Sequence, residues 1–467
     1  MIYSIEVNAL SVYAGKTRLM GPISFNLSNG GTLVIMGETG AGKSLIAQAI
    51  LGTLPNTLHA KGQITVNGRR VDQMRQSARR RMWGTVIATL PQEPWRALDP
   101  LMRAFRQVSE AHHYVGGKKR SLANADTAKA FETLGLTGAE KQLPNTLSGG
   151  MAQRVAFAAA TAGNAPILLA DEPTKGLDAE RHTKVVELLA KVPKEGGTLI
   201  AITHDVSVTR RLAGEVIVLR DGALVEQGKA IDVLANPTSS YTQSLIDADP
   251  KNWPQSEKQS DLAEKRDVVL TVENLAVARS GKRLFEGFDL TLRAGERVAL
   301  VGPSGIGKTT LLDAMAGLIK PEAGTVTRAQ SQSRHTVQKL YQDPPAAFPA
   351  RIALKHVLKD VARLHKTDWS SVLTTLEKLG IHPSLLDRKP DEVSGGELQR
   401  ISIARALTVG PKVLLADEPT SRLDPITQRD TLNMLETMAA AENFAVVLVT
   451  HDRQIANKWA DRTIILT

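Results

Sequence analysis

The strongest constraint on this chain is that it contains itself twice. GETGAGKS, from Gly37 to Ser44, recurs as GPSGIGKT, from Gly302 to Thr309. LSGGMAQR around Ser148 recurs as VSGGELQR around Ser394. PILLADEPT, ending at Thr174, recurs as PKVLLADEPT, ending at Thr420, and ITHD with His204 recurs as VTHD with His451. Motifs that repeat in one order at long range mark a duplicated domain. The copies differ in one interval: Lys308 to Ser394 is shorter than Lys43 to Ser148. The second copy has therefore lost residues between its glycine loop and its serine motif.

A length of 467 residues accommodates two such domains. The boundary falls in 247–267, a polar, proline-punctuated stretch without apolar periodicity, which reads as a linker. The expected division is a first domain over 1–249, a linker over 250–267 and a second domain over 268–467. The second copy has a shortened C-terminus, with no match to DGALVEQG.

In each copy a short apolar run, Leu33-Val34-Ile35-Met36 or Val298-Ala299-Leu300-Val301, precedes the glycine loop, and an apolar helical segment follows. Strand, GxxxxGK[ST], helix is the context that gives a phosphate loop its meaning. The expected fold class is α/β: two phosphate-loop NTPase domains, each with a mainly parallel core sheet, an antiparallel lobe at its start and a helical subdomain. In the first copy that subdomain is expected between about residues 93 and 147.

Composition narrows the rest. The chain has no cysteine, which excludes disulfides, thiolate zinc sites and cysteine-held iron–sulfur clusters. No apolar run approaches the ~18 residues of a membrane-spanning helix, and the N-terminus has no basic-then-apolar leader pattern. A cytoplasmic protein that reaches any membrane through partners is expected. The net charge of +10 gathers in short runs such as Arg69-Arg70, Arg79-Arg80-Arg81 and Lys118-Lys119-Arg120. Such runs are usually solvated faces, and aromatic content of 4% argues against base-stacking surfaces.

The motifs carry a definite chemistry. Glycines in GxxxxGK[ST], here Gly37, Gly40 and Gly42, then Gly302, Gly305 and Gly307, let backbone N–H groups turn inward around phosphate oxygens at a helix N-terminus. Lys43 and Lys308 would contact the β- and γ-phosphates, and Ser44 and Thr309 would offer hydroxyls to Mg²⁺. Each LLADE run is a buried strand ending in two acids. Asp171 and Asp417 would face the metal. Glu172 and Glu418 would orient and deprotonate an attacking water.

The serine–glycine motifs, Ser148-Gly149-Gly150 and Ser394-Gly395-Gly396, resemble the signature of the ATP-binding cassette family, which other phosphate-loop ATPases lack. The resemblance implies ATP and Mg²⁺ as cofactors and two cassettes closing head to tail. Lys43, Ser44, Gln92, Asp171, Glu172 and His204 would then face Ser394, Gly395 and Gly396. Lys308, Thr309, Gln342, Asp417, Glu418 and His451 would face Ser148, Gly149 and Gly150. Gln92 and Gln342 resemble the family's glutamine loop, at the metal and attacking water. His204 and His451 resemble its switch histidine. Asp178 and Asp424 match the loop at the dimer seam. Two departures stand out. Met151 and Glu397 follow the glycines where glutamine is common. Tyr13 fits the adenine-stacking aromatic, whereas Arg279 lies near that place in the second copy, so altered nucleotide affinity is expected there.

PQEPWRALDPLM, YQDPPAAFPARI, NPTSSYTQSL and the SGGM signature resemble segments of the oligopeptide, dipeptide and nickel importer ATPases. That subfamily implies two membrane permease subunits and, indirectly, a solute-binding protein as partners, at the cytoplasmic face of the inner membrane. The pared-down second copy and the missing cysteines point toward the nickel or metallophore branch. Two alternatives stand beside this. A soluble tandem cassette acting on ribosomes or nucleic acid usually has a long charged arm between cassettes, which this linker is too short to form. A sugar-importer ATPase commonly has a degenerate second site, unlike this one.

Overall fold

Both copies begin with a long antiparallel hairpin, because the alternating apolar residues of their first two strands can bury only one face. In the computed structural model Tyr3–Ala14 pairs with Thr17–Ser28, and Val268–Arg279 with Lys282–Arg293. The structure describes residues 3–92, 97–175, 177, 179–255, 266–279, 282–303, 305–329, 334–421 and 423–466. The chain divides into two units, Met1–Asp249 and Pro250–Thr467. Trp253, inside the stretch expected to link them, is buried in the apolar core of the second unit.

In the first unit the hairpin belongs to a four-stranded sheet with Leu58–Val66 and Arg69–Arg70. Against it lies a six-stranded sheet in the order Ala223–Lys229, Glu215–Arg220, Thr32–Met36, Thr198–Thr203, Ile167–Asp171, Ile87–Leu90. Its neighbours are parallel except for the first pair. All five residues of Thr32–Met36 and all six of Thr198–Thr203 are buried, as expected for parallel strands covered on both faces. Each fully buried Ile or Leu of these runs contributes about 1.5–3 kcal/mol. The mainly parallel core sheet and antiparallel lobe thus stand as the sequence analysis describes them.

The second unit repeats this with fewer strands among its described residues. A three-stranded antiparallel sheet adds Ala323–Arg328 to the hairpin. The core sheet is five-stranded and parallel throughout, in the order Val337–Leu340, Val413–Asp417, Ala445–Thr450, Arg297–Val301, Arg462–Ile465. The helical subdomains comprise Ala104–Glu110, Arg120–Thr133 and Gly149–Thr161 in the first unit, and Leu354–His365, Trp369–Lys378 and Gly395–Leu407 in the second. In the first unit this subdomain has its own apolar core around Val108, Phe131 and Val155.

The basic runs are partly spent inside the fold. Arg79 donates to the carbonyls of Ala49 and Ile50 at the end of the helix Lys43–Leu51, Arg70 pairs with Asp72, and Lys118 pairs with Asp126. No helix among the described residues is long and apolar enough to cross a membrane.

Candidate functional site

Each phosphate loop runs from the end of a buried strand into a helix, and its last glycine sits where only glycine is comfortable. Gly42 has φ 89° and Gly307 φ 108°, each capping the helix that starts at the lysine. A Cβ at Gly42 would come within 3.1 Å of Met20, and one at Gly307 within 2.8 Å of Leu284. Gly37 has φ 149°, Gly40 φ 89° and Gly305 φ 85°, while a Cβ at Gly302 would lie 3.0 Å from the carbonyl oxygen of Leu466. Lys43 curls back over its loop, donating from Nζ to the carbonyls of Gly37 at 2.7 Å and Glu38 at 2.8 Å. Lys308 does the same to Gly302 at 2.7 Å and Pro303 at 3.0 Å.

The acid pairs arrive on the strand two places over from the loop strand in the same sheet. Ile167–Asp171 and Val413–Asp417 are buried apolar runs that stop at the aspartate. The following glutamate turns sharply: Glu172 has φ 47° and Glu418 φ 45°, a conformation rare for residues with a Cβ and concentrated at functional sites. The glutamate N–H groups are held by the carbonyls of Ile202 at 2.9 Å and Val449 at 3.1 Å. The turn brings Glu172 Oε1 to 3.4 Å from Lys43 Nζ, and Glu418 Oε1 to 3.8 Å from Lys308 Nζ.

The histidines follow the next strand and meet the same glutamates. His204 Nδ1 lies 2.9 Å from Glu172 Oε1, and His451 Nδ1 lies 3.5 Å from Glu418 Oε2. Behind them Asp205 and Asp452 cap the helices Val206–Leu212 and Arg453–Trp459 through two backbone N–H groups each, which fixes where the histidines stand. In the second unit Gln342 Nε2 donates to Glu418 Oε2 at 3.1 Å. Gln92 is exposed and makes no such bond among the described residues.

These surroundings drive each acid pair apart. Burial pushes Asp171 upward against the hydrogen bond from Ser44, and pushes Asp417 upward against Lys339 and Thr309. Burial also penalises the charge on Glu172, but His204 and Lys43 outweigh it and hold this carboxyl below its ordinary range. Glu418 is lowered likewise, with His451 outweighing burial. Burial lowers Lys43, opposed by Glu172. The glutamates therefore stay ionised, which a proton-accepting group requires.

In each unit a hydroxyl and a carboxylate lie together. Ser44 bonds Asp171 and Thr309 bonds Asp417. Asp171 Oδ1 is buried with no hydrogen-bond partner, a bare lone pair of the kind a hard cation uses. No group of three or more acidic or histidine side chains could cage a metal among the described residues. The hydroxyl and carboxylate present in each unit, with the open oxygen of Asp171, fit Mg²⁺, which is typically held by one or two carboxylates together with substrate phosphates.

The serine–glycine motifs form helix N-termini. Ser148 Oγ accepts from the Met151 N–H and Ser394 Oγ from the Glu397 N–H, both at 3.3 Å. Gly149, Gly150, Gly395 and Gly396 make up the first turns. Glu397, unlike Met151, returns a carboxylate oxygen to the Ser394 N–H at 2.7 Å and completes a capping box. Asp424 is buried and caps the helix Pro425–Glu442 by accepting from the Thr427 N–H at 3.0 Å. Asp178 and residues 93–96 lie outside the described residues.

Tyr13 stacks on His59 with ring centroids 5.4 Å apart, and Lys61 Nζ lies 5.1 Å from its centre. Hairpin register puts Ala278 at the equivalent place: Tyr13 faces Arg18, Ala278 faces Arg283, and Arg279 comes one residue later. Three participants were not evident from the motifs. Lys339 reaches Asp417, Asp313 anchors Lys339, and Tyr241 accepts a hydrogen bond from the Glu38 N–H at 3.0 Å. Strand and helix register relative to the motifs, rather than the motifs, would have found the first two.

A family model described as ABC transporter matches residues 20–175 and 285–421. The chain is 32% identical over 480 residues to a peptidoglycan transport ATP-binding protein, YejF, of Agrobacterium fabrum, covering 95% of this chain and 86% of the relative. It is 29% identical over 528 residues to a glutathione import ATP-binding protein, GsiA, of Pectobacterium atrosepticum, covering 99% and 84%. Among solved structures, one of RNase-L Inhibitor superposes with a TM-score of 0.64 over 94% of this chain and 83% of that one, at 21% identity. At that identity the likeness is one of fold.

Proposed function

The chain belongs to the ABC transporter family of ATPases, and on that premise we propose that it is the ATP-hydrolysing subunit of a peptide-class importer. One observation carries the importer reading: the similarity to an import ATP-binding protein, GsiA, extends over both cassettes and the joining segment, 99% of this chain. YejF and GsiA are named for peptidoglycan and glutathione. The reading therefore moves from the nickel or metallophore branch toward solutes that contain peptide.

In this reading the loop amides and Lys43 or Lys308 hold the nucleotide phosphates. Ser44, Asp171 and Gln92 in the first unit, and Thr309, Asp417 and Gln342 in the second, would hold Mg²⁺, which neutralises phosphate charge when bound. Glu172 and Glu418 accept the proton of an attacking water. Their contact with His204 and His451 keeps them charged and aimed. As the family resemblance implies, the helix starting at Ser148 serves the loop of the second unit, and the one at Ser394 serves the first. Each offers a hydroxyl and free amide groups to the terminal phosphate. Binding then clamps the cassettes and hydrolysis releases them. Two permease subunits, fed by a solute-binding protein, would turn that cycle into uptake at the cytoplasmic face of the membrane, with this chain peripheral to it.

The test is affinity purification of the tagged chain from detergent-solubilised membranes, with mass spectrometry of its companions. Two polytopic permeases in stoichiometric amount are expected. Ribosomal proteins or nucleic acid in their place, with no permease in any mild detergent, would establish the soluble-cassette alternative.

A further inference from the structure

We infer that Lys339 is a built-in counter-cation of Asp417 that weakens divalent-cation binding in the second unit relative to the first. The inference rests on the metal-holding role proposed above for Asp171 and Asp417. Lys339 lies on the strand Val337–Leu340, paired in parallel register with Val413–Asp417, opposite Leu415. Side chains alternate along a strand, so Lys339, Leu415 and Asp417 share one face, the face covered by the helix Lys308–Ala316. Its ammonium sits 2.6 Å from Asp313 Oδ1 on that helix and 3.3 Å from Asp417 Oδ2. Only 8% of Lys339 is exposed.

A buried lysine is costly to desolvate and is retained only with partners, so the placement calls for an explanation. The first unit carries no charge at either matching place. The register residue there is Thr89, opposite Leu169, and it is exposed. The helix position matching Asp313, five residues past the loop lysine, is Gln48. Asp171 consequently keeps a buried oxygen without a partner, whereas Asp417 already shares one with a fixed cation. A divalent ion approaching Asp417 meets both competition for the carboxylate and repulsion from the ammonium. Coulomb's law for charges a few ångströms apart, with Asp313 neutralising much of the ammonium, makes this a roughly tenfold effect on affinity. The two loops would then fill at different Mg²⁺ concentrations, the first unit before the second.

The test reads Mn²⁺ uptake directly, by loss of the free-ion paramagnetic resonance signal, on the full chain with a non-hydrolysable ATP analogue. Lys43→Ala silences the first loop so that the second alone reports. Replacing Lys339→Thr together with Asp313→Gln copies the first unit, and Mn²⁺ affinity is expected to rise roughly tenfold. The reciprocal pair, Thr89→Lys with Gln48→Asp in a Lys308→Ala background, is expected to lower it by a similar factor. The reciprocal pair keeps the inference testable if the first pair fails to fold. A purely structural lysine would change the melting temperature and leave both Mn²⁺ affinities alone, which would overturn the inference while leaving Asp417 as a ligand. A parent chain that takes up no Mn²⁺ with the analogue would overturn the metal role of Asp417 and this inference with it.

Discussion

The first unit gathers Lys43, Glu172 and His204 into a tight cluster, with Lys43 Nζ 3.4 Å from Glu172 and His204 2.9 Å from it. The second unit places the matching residues at 3.8 Å and 3.5 Å, and adds Gln342 on Glu418 and Lys339 on Asp417. The motifs themselves are nearly the same string. What differs is the company they keep: Thr89 against Lys339, Gln48 against Asp313, and Tyr13 against Ala278. The first unit also has the helix Ser240–Asp247, whose Tyr241 touches the phosphate loop at Glu38. Two cassettes can therefore share a mechanism and still differ in how their charges are balanced, because register neighbours set the electrostatics that motif letters leave open.

The largest effect should come from the glutamates. Glu172→Gln and Glu418→Gln each keep the shape and remove the proposed base, so phosphate release should fall by about a hundredfold or more. Each should accumulate an ATP-bound closed state, and full transport with both changes present would refute the assignment. Next come the histidines, which sharpen the comparison. His204→Ala should slow phosphate release by about tenfold, and His451→Ala by less, because Gln342 still bonds Glu418. Equal losses would show that the Gln342 contact does not compensate.

Nucleotide affinity should separate the units at the proposed adenine-stacking position. With Lys308→Ala silencing the second loop, Tyr13→Ala should weaken binding by about fivefold or more, from loss of one stacked ring. Ala278→Tyr in the Lys43→Ala background should tighten binding correspondingly, measured by fluorescent-nucleotide titration. The smallest effect belongs to Tyr241→Phe. Removing a single neutral acceptor from the Glu38 N–H should weaken binding in the first unit by about threefold and leave the second unchanged.

Much of this was legible because phosphate-loop chemistry depends on backbone geometry that short strings specify. Glycines at Gly37, Gly40 and Gly42 require positive φ, and buried apolar runs ending at Asp171 and Asp417 read as strands delivering acids. The left-handed turn at Glu172 and Glu418 is not visible in residue type, since glutamate has no preference for it. The Lys339 contact was hidden for another reason. Its partners come from a helix and a neighbouring strand, so only the pairing of Val337–Leu340 with Val413–Asp417 brings them together. The same logic moves the second adenine-side position from Arg279 to Ala278, and turns Arg79 from a surface charge into the cap of the helix Lys43–Leu51.

The central claim, that both phosphate-loop sites bind and turn over nucleotide, is tested most directly by counting. The double variant Glu172→Gln with Glu418→Gln should be saturated with ATP and Mg²⁺, freed of loosely held ligand by rapid gel filtration, and assayed for retained nucleotide per chain. Two ATP molecules per chain, unhydrolysed, are the predicted result. One or none would contradict the account, one by leaving a unit that does not retain nucleotide and none by leaving neither unit with a working site.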